Sequence, residues 1–356
     1  MDSKIIGEGT YGCVFKPSLP CADKKITYKN KIAKFMLTES ALKEIEEYAV
    51  IARADKDAKF YTGKPTRCAM KEGADTLKAV SQCKLFQKKL KNKTAKQVSA
   101  ETSLLLINDG GDDLDKWVKK ITSLNSLPPK VITDFWREGL RLFRGLQVFK
   151  TYSLVHHDLK PQNVVYRMDT KRLNFIDFGL MRSIKTEALK CKAAKGCVAN
   201  SHWNYPIDVI FMGKSVYNSA VKRRGEFTDE YVKKIGTKDP FAVAYDTFIK
   251  YAFGTEENER RKIFEHKFWA GFKSLVAKLP SGGYSVFLDA SLKGFDVFGL
   301  GFTLLYVLSR TRKWLDENVV AALDELFFKM ITPDVFSRLT IEDAMVEYER
   351  IVKGLS

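Results

Sequence analysis

Three glycines close to the start of the sequence constrain the fold more than any other feature. They stand at positions 7, 9 and 12 in the run GEGTYGCV, which spans residues 7–14. Because glycine has no Cβ, backbone with this spacing can lie directly against a phosphate group. A helix straight after Gly12 would indicate a dinucleotide-binding unit, but Pro17 follows too soon for one to start. The run therefore predicts a β-hairpin that covers a nucleotide.

Strand and helix patterns follow the glycine run. Ile32–Phe35 is an apolar run with Lys34 inside it, which predicts a strand that carries a lysine. Residues 39–54 place apolar side chains three and four positions apart, as one face of a helix requires. A buried strand over 104–107 ends in Asn-Asp-Gly-Gly at 108–111, a turn that we interpret as a domain boundary.

The remainder of the chain is predicted mainly as helix. The lysine-rich residues 55–100 predict helix plus loop, residues 183–202 a loop, and the runs 164–166 and 173–176 a β-hairpin. The most apolar run, 295–308, is too short and too interrupted to span a bilayer and predicts a buried core helix. Apolar periodicity predicts helices over 114–122, 130–152, 228–235, 240–252, 258–278, 295–309, 316–331 and 340–353.

The net charge narrows the class of partner without naming one. The chain has 356 residues, with 60 Lys or Arg against 43 Asp or Glu, which gives +17 at pH 7. Such an excess favours anionic partners, among them nucleic acid, acidic proteins, phosphates and an anionic membrane face. A solvated basic surface that aids solubility explains the charge equally well. The length and the 45% hydrophobic content predict a sizeable core and about two domains.

The six cysteines predict no zinc site. They stand at 13, 21, 68, 83, 191 and 197, and none forms a C-x-x-C pair. The start of the chain lacks the apolar run of a signal peptide. We therefore expect reduced thiols and a cytoplasmic protein.

A second motif lies at residues 156–163, where the sequence reads HHDLKPQN. At this spacing Asp158, Lys160 and Asn163 can converge in one loop. The carboxylate can accept a hydroxyl proton, the ammonium can hold a phosphate oxygen, and the amide oxygen can bind Mg²⁺.

A third motif, Asp177-Phe178-Gly179, directly follows the second strand of the predicted hairpin. A carboxylate at a strand end can hold Mg²⁺ that bridges phosphates. Each motif alone is common by chance, but their order along the chain is far more specific. A glycine run, a strand lysine, a helix with glutamates, H-x-D-L-K-x-x-N and D-F-G follow one another.

This ordered set resembles the protein kinase superfamily, serine/threonine type. The resemblance implies an α+β fold with two lobes, a small β-rich lobe with one main helix and a larger, mainly helical lobe. Residues 1–108 would form the small lobe with a glycine flap and a basic insertion, and 109–113 the hinge. Residues 114–356 would form the large lobe with the catalytic loop, the activation segment and a large insertion at about 209–290.

The resemblance also implies an activity and assigns residues to it. The activity is transfer of the γ-phosphate of ATP to protein serine or threonine hydroxyls, with Mg²⁺ or alternatively Mn²⁺. Asp158 would orient and deprotonate the acceptor hydroxyl, and Lys160 would neutralise the transferring phosphoryl group. Asn163 and Asp177 would hold the metal ions.

The nucleotide-binding residues are implied in the same way. Lys34 would hold the α- and β-phosphates, paired with Glu47 of the predicted helix, with Glu44 as the alternative. The other residues would cover the phosphates, sandwich the adenine, guard the back of its pocket or bind its edge through the backbone. They are Gly7, Gly9, Gly12, Val14, Ala33, Val165, Ile107, Asn108 and Gly110.

Further positions match the family less closely. Asp208 stands where the activation segment usually ends in glutamate, and it would pair with Arg338 in a structural role. Asp296 resembles the core-helix aspartate that braces the catalytic loop. Ser201 stands where the family often has threonine, which together with Lys160 points to serine or threonine acceptors.

His157 departs from the arginine that many kinases have at this position. That arginine usually pairs with a phosphate on the activation loop, whereas histidine is mostly neutral at pH 7 and holds a phosphate poorly. We therefore predict that phosphorylation of residues 183–201 does not switch the protein on.

Asp208 and Asp296 lie 88 residues apart, a separation that implies the large insertion. Together with H-H-D and the P-x-D ending, it makes the chain similar to kinases of large nucleocytoplasmic DNA viruses, which would place the protein in the host cytoplasm or the virion. The insertion, with Lys222 and aromatic residues such as Trp269, can either bind a substrate or partner or pack as extra helices.

Other functions stay open on the sequence. They are a pseudokinase that uses the fold as a binding scaffold, a basic nucleic-acid-binding protein, and a small-molecule kinase of similar fold. We expect a monomer without a membrane span that acts on a protein substrate, acidic or associated with nucleic acid. Whether the chain itself binds nucleic acid is left open.

Overall fold

The computed structural model describes residues 3–9, 11–22, 26–87, 91–124, 128–193, 202–223, 240–254, 258–280 and 282–355. Within this part of the chain the protein is α+β, with a small antiparallel sheet near the N-terminus and a mainly helical remainder. The chain divides into two compact units, Met1–Gly111 and Asp112–Ser356. The division falls inside residues 109–113, for which the sequence predicts a hinge.

The first unit is built on a five-stranded antiparallel sheet with the order β1-β2-β3-β5-β4. The strands are β1 (Lys4–Gly9), β2 (Gly12–Lys16), β3 (Lys31–Leu37), β4 (Thr66–Cys68) and β5 (Thr102–Asn108). The helices are α1 (Thr38–Ala54), α2 (Ala74–Ser81), α3 (Lys84–Gln87) and α4 (Ala95–Glu101). The hairpin predicted from the glycine run is present, since Gly9 pairs with Gly12 at the tip of β1 and β2. A Cβ at Gly12 would lie 2.4 Å from the Phe35 carbonyl oxygen, so only glycine lets β2 approach β3 this closely.

Aromatic rings fill the core of the first unit. The rings of Phe15 and Phe86 pack edge-on against Phe35, with centroids 6.5 Å and 5.0 Å away. β5 is buried along Thr102–Ile107, since β3 and β4 pair with its two edges and its side chains pack into core clusters, Leu104 and Leu106 in one and Leu105 and Ile107 in another. The sequence does not predict β4, whose three residues read Thr-Arg-Cys and show no apolar alternation.

Two disulfides connect the lysine-rich residues 55–100 to the chain before β3, so the prediction of reduced thiols is wrong. Cys13 on β2 is bonded to Cys83, and Cys21 is bonded to Cys68, with Cα–Cα distances of 6.0 Å and 5.8 Å. Cys191 is also disulfide-bonded, and no cysteine in the described ranges is free. A search for C-x-x-C misses the first two pairs because their partners lie 70 and 47 residues apart and meet only in the folded sheet.

The second unit is mainly helical. Its helices are α5 (Leu114–Thr122), α6 (Pro129–Thr151), α7 (Ile184–Lys192), α8 (Lys214–Arg223), α9 (Pro240–Phe253), α10 (Glu259–Lys278), α11 (Tyr284–Thr311), α12 (Glu317–Met330) and α13 (Ile341–Lys353). Its short strands are β6 (Asp112–Asp113), β7 (Leu154–Val155), β8 (Val164–Arg167), β9 (Arg172–Phe175) and β10 (Arg182–Ser183). Strands β8 and β9 form the predicted hairpin, β6 joins its edge, and β7 pairs with β10.

Helix α7 is the main departure from the predicted elements of the second unit. The sequence predicts a loop over 183–202, but Ile184–Lys192 is helical. Ser183 caps its first turn, where its hydroxyl oxygen accepts a hydrogen bond from the amide of Thr186. The helix predicted near 228–235 lies outside the described residues.

Helix α11 forms the centre of the second unit. Every residue from Phe295 to Leu308 is buried, as the apolar run predicts. Helices α5, α6, α9 and α12 all pack against it. By length and composition alone the stretch Tyr284–Trp314 would also suit a membrane, but 89% of its most apolar window is buried inside the protein. Such burial is typical of a core helix.

The described part of the predicted insertion packs as helices on this centre. The Phe248 ring on α9 lies 4.8 Å from Phe302 on α11. The Phe264 ring on α10 lies 5.1 Å from Phe328 on α12. Packing within the second unit therefore accounts for these insertion aromatics.

Candidate active site

The β8–β9 hairpin brings two predicted metal-binding residues to one place. Val164 faces Phe175 in the register, and the amide of Ile176 donates to the carbonyl oxygen of Asn163 at 3.0 Å. Asn163 directly precedes β8, and Asp177 follows the end of β9. The two residues therefore lie at the same end of the hairpin. Asp177 is exposed and has a positive φ of 63°, a conformation that is costly for non-glycine residues and clusters at functional sites.

Hydrogen-bond donors converge on the carboxylate of Asp158. Lys160 Nζ lies 2.9 Å from Asp158 Oδ1 and 2.8 Å from Oδ2. Asn163 Nδ2 donates to Oδ2 at 2.8 Å and to the main-chain carbonyl oxygen of Asp158 at 2.8 Å. Asn204 Nδ2 donates to Oδ1 at 3.0 Å. The structure thus groups the three residues to which the resemblance assigns catalysis around one carboxylate.

The loop that carries Asp158 rests on helix α11 through a buried carboxylate. The main-chain N–H groups of His156 and His157 donate to Asp296 at 2.7 Å and 3.1 Å. Burial raises the pKa of Asp296, although these hydrogen bonds and the neighbouring His156 oppose the shift. A Cβ at Gly299 would lie 2.7 Å from Leu159 Cβ, so the loop can lie against the helix only where the helix has glycine. The predicted bracing role of Asp296 is confirmed.

His157 is buried and uncharged. Its Nδ1 lies 3.2 Å from the Leu180 carbonyl oxygen, and because a carbonyl only accepts, this nitrogen carries the proton. Burial lowers the pKa of His157 to about 4. The side chain is therefore neutral at pH 7 and lacks the charge needed to hold a phosphate. This agrees with the prediction that phosphorylation of the following segment does not switch the protein on.

We expect the free energy of unfolding to fall between about pH 6.5 and pH 4 because of His157. The imidazole of the unfolded chain binds a proton near pH 6.5, whereas that of the folded protein does so only near about 4. In this window the unfolded state binds more protons, so lowering the pH destabilises the fold, by about 3 kcal/mol from this residue. Urea unfolding at a series of pH values measures the loss.

His157→Gln is the control for this pH dependence, since glutamine can donate to the Leu180 carbonyl but does not titrate. Asp296 and the other titrating groups are present in both proteins, so the difference between the two curves isolates the imidazole. The expected result is a flatter curve for His157→Gln. Parallel curves would contradict the prediction.

A buried ion pair fixes the end of the predicted activation segment. Arg338 Nη2 lies 2.6 Å from Asp208 Oδ1, and the two side chains are 1% and 0% exposed. Ser291 Oγ donates to the other oxygen of Asp208 at 2.6 Å. Arg338 also donates to the Thr332 carbonyl oxygen from two nitrogens, at 3.0 Å and 2.8 Å. The predicted pair is confirmed, and its contacts are those of a structural brace.

In the first unit, Lys34 pairs with Glu44 and not with Glu47, so the first choice of partner is wrong. Lys34 Nζ on β3 lies 2.5 Å from Glu44 Oε2 on α1. The buried residues of α1 are Ala41, Tyr48 and Ile51, and Glu44 shares their stripe three positions after Ala41 and four before Tyr48. Glu47 lies about a quarter turn around the helix from that stripe, so its side chain leaves the helix on a different face.

The other residues assigned to the nucleotide are divided between the two units. Gly7, Gly9 and Gly12 belong to the β1–β2 hairpin, and Val14 faces Lys34 in the register of β2 and β3. Ala33 and Ile107 are buried on β3 and β5. Val165 is buried on β8 in the second unit. Their roles toward adenine stay predictions.

Asn108 already has partners within the first unit. Its Nδ2 donates to the Thr62 carbonyl oxygen at 2.7 Å, and its Oδ1 accepts from Lys31 at 2.6 Å. The predicted contact with the adenine edge concerns only the backbone of Asn108 and Gly110, and it stays a prediction.

Sequence reasoning missed Asn204. It is 2% exposed and contacts Asp158 directly. In this segment the sequence points instead to Ser201 and Asp208, and Ser201 lies outside the described residues. Asn204 stands between Trp203 and Tyr205, and no motif or periodicity in the sequence indicates a functional role for it.

The oxygen atoms at the hairpin end fit a divalent cation. Both hydrogen bonds of Asn163 Nδ2 go to Asp158, and across the described ranges no donor binds its amide oxygen. The Asp177 carboxylate is exposed and forms no ion pair with any described residue. Carboxylate and amide oxygens are hard ligands of the kind that Mg²⁺ prefers.

Comparison with known proteins gives partial matches. No protein-family model matches the chain. The chain is 26% identical to cell division control protein 2 homolog C of Antirrhinum majus over 127 residues, which cover 32% of the chain and 40% of that protein. It is 32% identical to serine/threonine-protein kinase ATG1b of Arabidopsis thaliana over 95 residues, or 26% of the chain and 12% of that protein. The chain thus matches less than half the length of these curated relatives, and this distant similarity relates it to the serine/threonine kinases.

Proposed function

We propose that the chain is an ATP-dependent serine/threonine protein kinase. The observation that carries the proposal is the convergence of Lys160, Asn163 and Asn204 on the Asp158 carboxylate. The exposed Asp177 lies at the same hairpin end as Asn163. This part of the second unit offers an acceptor for a proton, a cation for a phosphate and oxygen ligands for a metal. The partial similarity to a serine/threonine-protein kinase supports the same class of reaction.

In the proposed reaction the oxygen of an acceptor hydroxyl attacks the γ-phosphorus of ATP. The bond from that phosphorus to the β,γ-bridging oxygen breaks, and ADP leaves. Asp158 orients the hydroxyl and accepts its proton, while Lys160 neutralises negative charge on the transferring phosphoryl group. Mg²⁺, when bound, neutralises the phosphate oxygens, and Asn163 and Asp177 would hold it.

Lys34 supplies a second cation in this proposal. Its ammonium is held at 2.5 Å by Glu44, so its position is fixed before a nucleotide arrives. A fixed charge stabilises bound phosphates without the cost of ordering a flexible lysine. Lys34 would bind the α- and β-phosphates, and the glycine hairpin would cover them.

Transfer of the γ-phosphate from labelled Mg-ATP to a mixed panel of basic and acidic proteins tests the proposal. We expect label on serine or threonine in phosphoamino-acid analysis, and we expect it to require Mg²⁺ or Mn²⁺. A protein that binds Mg-ATP, as a rise in Tm would report, but transfers nothing to the panel would instead be a pseudokinase scaffold. Label on a small molecule alone would equally overturn the protein-kinase proposal.

Glu44→Gln is expected to lower kcat/KM for ATP by about 10- to 100-fold, because it removes the charged partner that fixes Lys34. Glu47→Gln is the matched control on the same helix, and we expect it to change kcat/KM by less than about threefold. Steady-state kinetics with varied ATP measures both variants. Equal losses in the two proteins would show that Glu44 has no special role.

A further inference from the structure

Asn204 stands out among the described buried polar residues because it joins the predicted activation segment to the Asp158 loop. It is 2% exposed, and its Nδ2 lies 3.0 Å from Asp158 Oδ1 and 3.5 Å from the Leu159 carbonyl oxygen. Its own Oδ1 accepts a hydrogen bond from His202 Nδ1. Since the amide oxygen is held by His202, the amide nitrogen is directed at Asp158.

The donors around Asp158 occupy its whole acceptor capacity. A carboxylate has about four acceptor positions, two on each oxygen. Lys160 Nζ takes one on each oxygen, at 2.9 Å and 2.8 Å. Asn163 takes the second position on Oδ2 at 2.8 Å, and Asn204 takes the second on Oδ1 at 3.0 Å. In this arrangement no position is left for the proton of an acceptor hydroxyl.

We propose that Asn204 is a positioning residue for Asp158 and that it forms, with Asn163, a two-amide clamp. The inference rests on the proposed function. When Lys160 moves from Asp158 to the phosphoryl group, each carboxylate oxygen gains a free acceptor position. Asn163 then still donates to one oxygen of Asp158 and Asn204 to the other. These two hydrogen bonds keep the orientation of the carboxylate fixed while it accepts the hydroxyl proton. His202 acts through Asn204, because it fixes which end of the amide faces Asp158.

The clamp also attaches the predicted activation segment to the catalytic loop, because Asn204 belongs to that segment and Asp158 to the loop. His157, the residue that would otherwise contact a phosphorylated segment, is neutral and is bonded to Leu180. Asn204 contacts the loop through its uncharged amide group, and His202 holds the other end of that amide. The attachment therefore needs no phosphate.

Asn204→Leu tests the clamp, because leucine has nearly the shape of asparagine but no hydrogen-bonding groups. We expect kcat to fall about 10- to 100-fold, the effect of losing one hydrogen bond to a charged group, with KM for ATP unchanged. Asn204→Asp should be slower still, since it places a second negative charge against Asp158. Asn318→Leu, an exposed site at the start of α12, is the matched control and should match the wild type.

Combination with Asp158→Asn separates positioning from mere packing. If Asn204 acts through Asp158, adding Asn204→Leu to Asp158→Asn changes the remaining rate by less than about twofold. Loss of the full factor in both backgrounds would mean a packing role and would overturn the inference. Asn204→Ser provides a second variant should Asn204→Leu lower Tm, because serine fits the space without reaching Asp158.

The outcomes also distinguish the inference from the proposed function. A wild-type protein that transfers no phosphate overturns the function, and the clamp with it. A wild-type protein that is active beside an equally active Asn204→Leu protein overturns the clamp alone.

Discussion

Asp158→Asn is expected to lower the rate of phosphoryl transfer by about 10²- to 10⁴-fold, the range over which a general base contributes. The described residues that form hydrogen bonds with the Asp158 carboxylate are all donors, namely Lys160, Asn163 and Asn204. Asparagine keeps one acceptor oxygen and replaces the other with an N–H₂ group, which must then face a donor. The variant therefore loses the proton acceptor and also the fixed direction of the side chain.

Binding and chemistry should separate in this variant. The described partners of the Asp158 side chain, Lys160, Asn163 and Asn204, all belong to the second unit, whereas Lys34 belongs to the first. Mg-ATP should therefore still raise Tm as it does for the wild type. Asp169→Asn is the matched control, since Asp169 is 62% exposed in the turn between β8 and β9, where it forms an ion pair with Arg167. Single-turnover transfer measures the rates of all three proteins. A rate within tenfold of the wild type in Asp158→Asn would remove Asp158 from the proposed mechanism.

Arg338→Met is expected to lower the free energy of unfolding by about 3–5 kcal/mol, the cost of breaking a buried ion pair. Among the described residues, Asp208 would keep Ser291 alone as a hydrogen-bond donor, in a site where its side chain is 0% exposed. A carboxylate left in such a site without its cation keeps the cost of desolvation and loses the attraction that offsets it. Urea unfolding at pH 7 measures the change.

Two further variants show whether the loss of stability comes from the unpaired, buried carboxylate of Asp208. Arg312→Met replaces an exposed arginine in the turn after α11 and should change stability by less than about 0.5 kcal/mol. The double variant Asp208→Leu with Arg338→Met removes both charges and should recover much of the loss. A double variant as unstable as Arg338→Met alone would assign the effect to packing around Phe298, whose ring lies 5.4 Å from the guanidinium.

The sequence predicted those parts of the candidate site whose residues are close neighbours in the chain. Asp158, Lys160 and Asn163 lie within one short loop, so local geometry alone brings them together. The hairpin over β8 and β9 was equally local, and it carries Asp177 to the same end as Asn163. The glycine hairpin follows from spacing as well, because Gly9 and Gly12 are three residues apart.

Contacts between distant residues were harder to predict. The apolar residues three and four positions after Glu47 favour it as the partner of Lys34, but the stripe of Ala41, Tyr48 and Ile51 contains Glu44. The sequence thus carries the signal for the correct partner. Asn204 carried no signal, since its role depends on where a segment 46 residues after Asp158 comes to lie. The long-range partners of Asp208 and Asp296 were predicted through the family resemblance and not through local spacing.

Because of the disulfide between Cys13 and Cys83, the measured affinity for ATP would depend on whether the protein was purified with reductant. Cys13 directly follows Gly12, so one end of the glycine hairpin is covalently anchored to the start of α3. In the proposed function that hairpin must admit and release nucleotide with every turnover. A sample purified with reductant and one purified without it would then present different hairpins to the same ATP concentration. Affinities from two laboratories are comparable only when the thiol state of each sample has been determined.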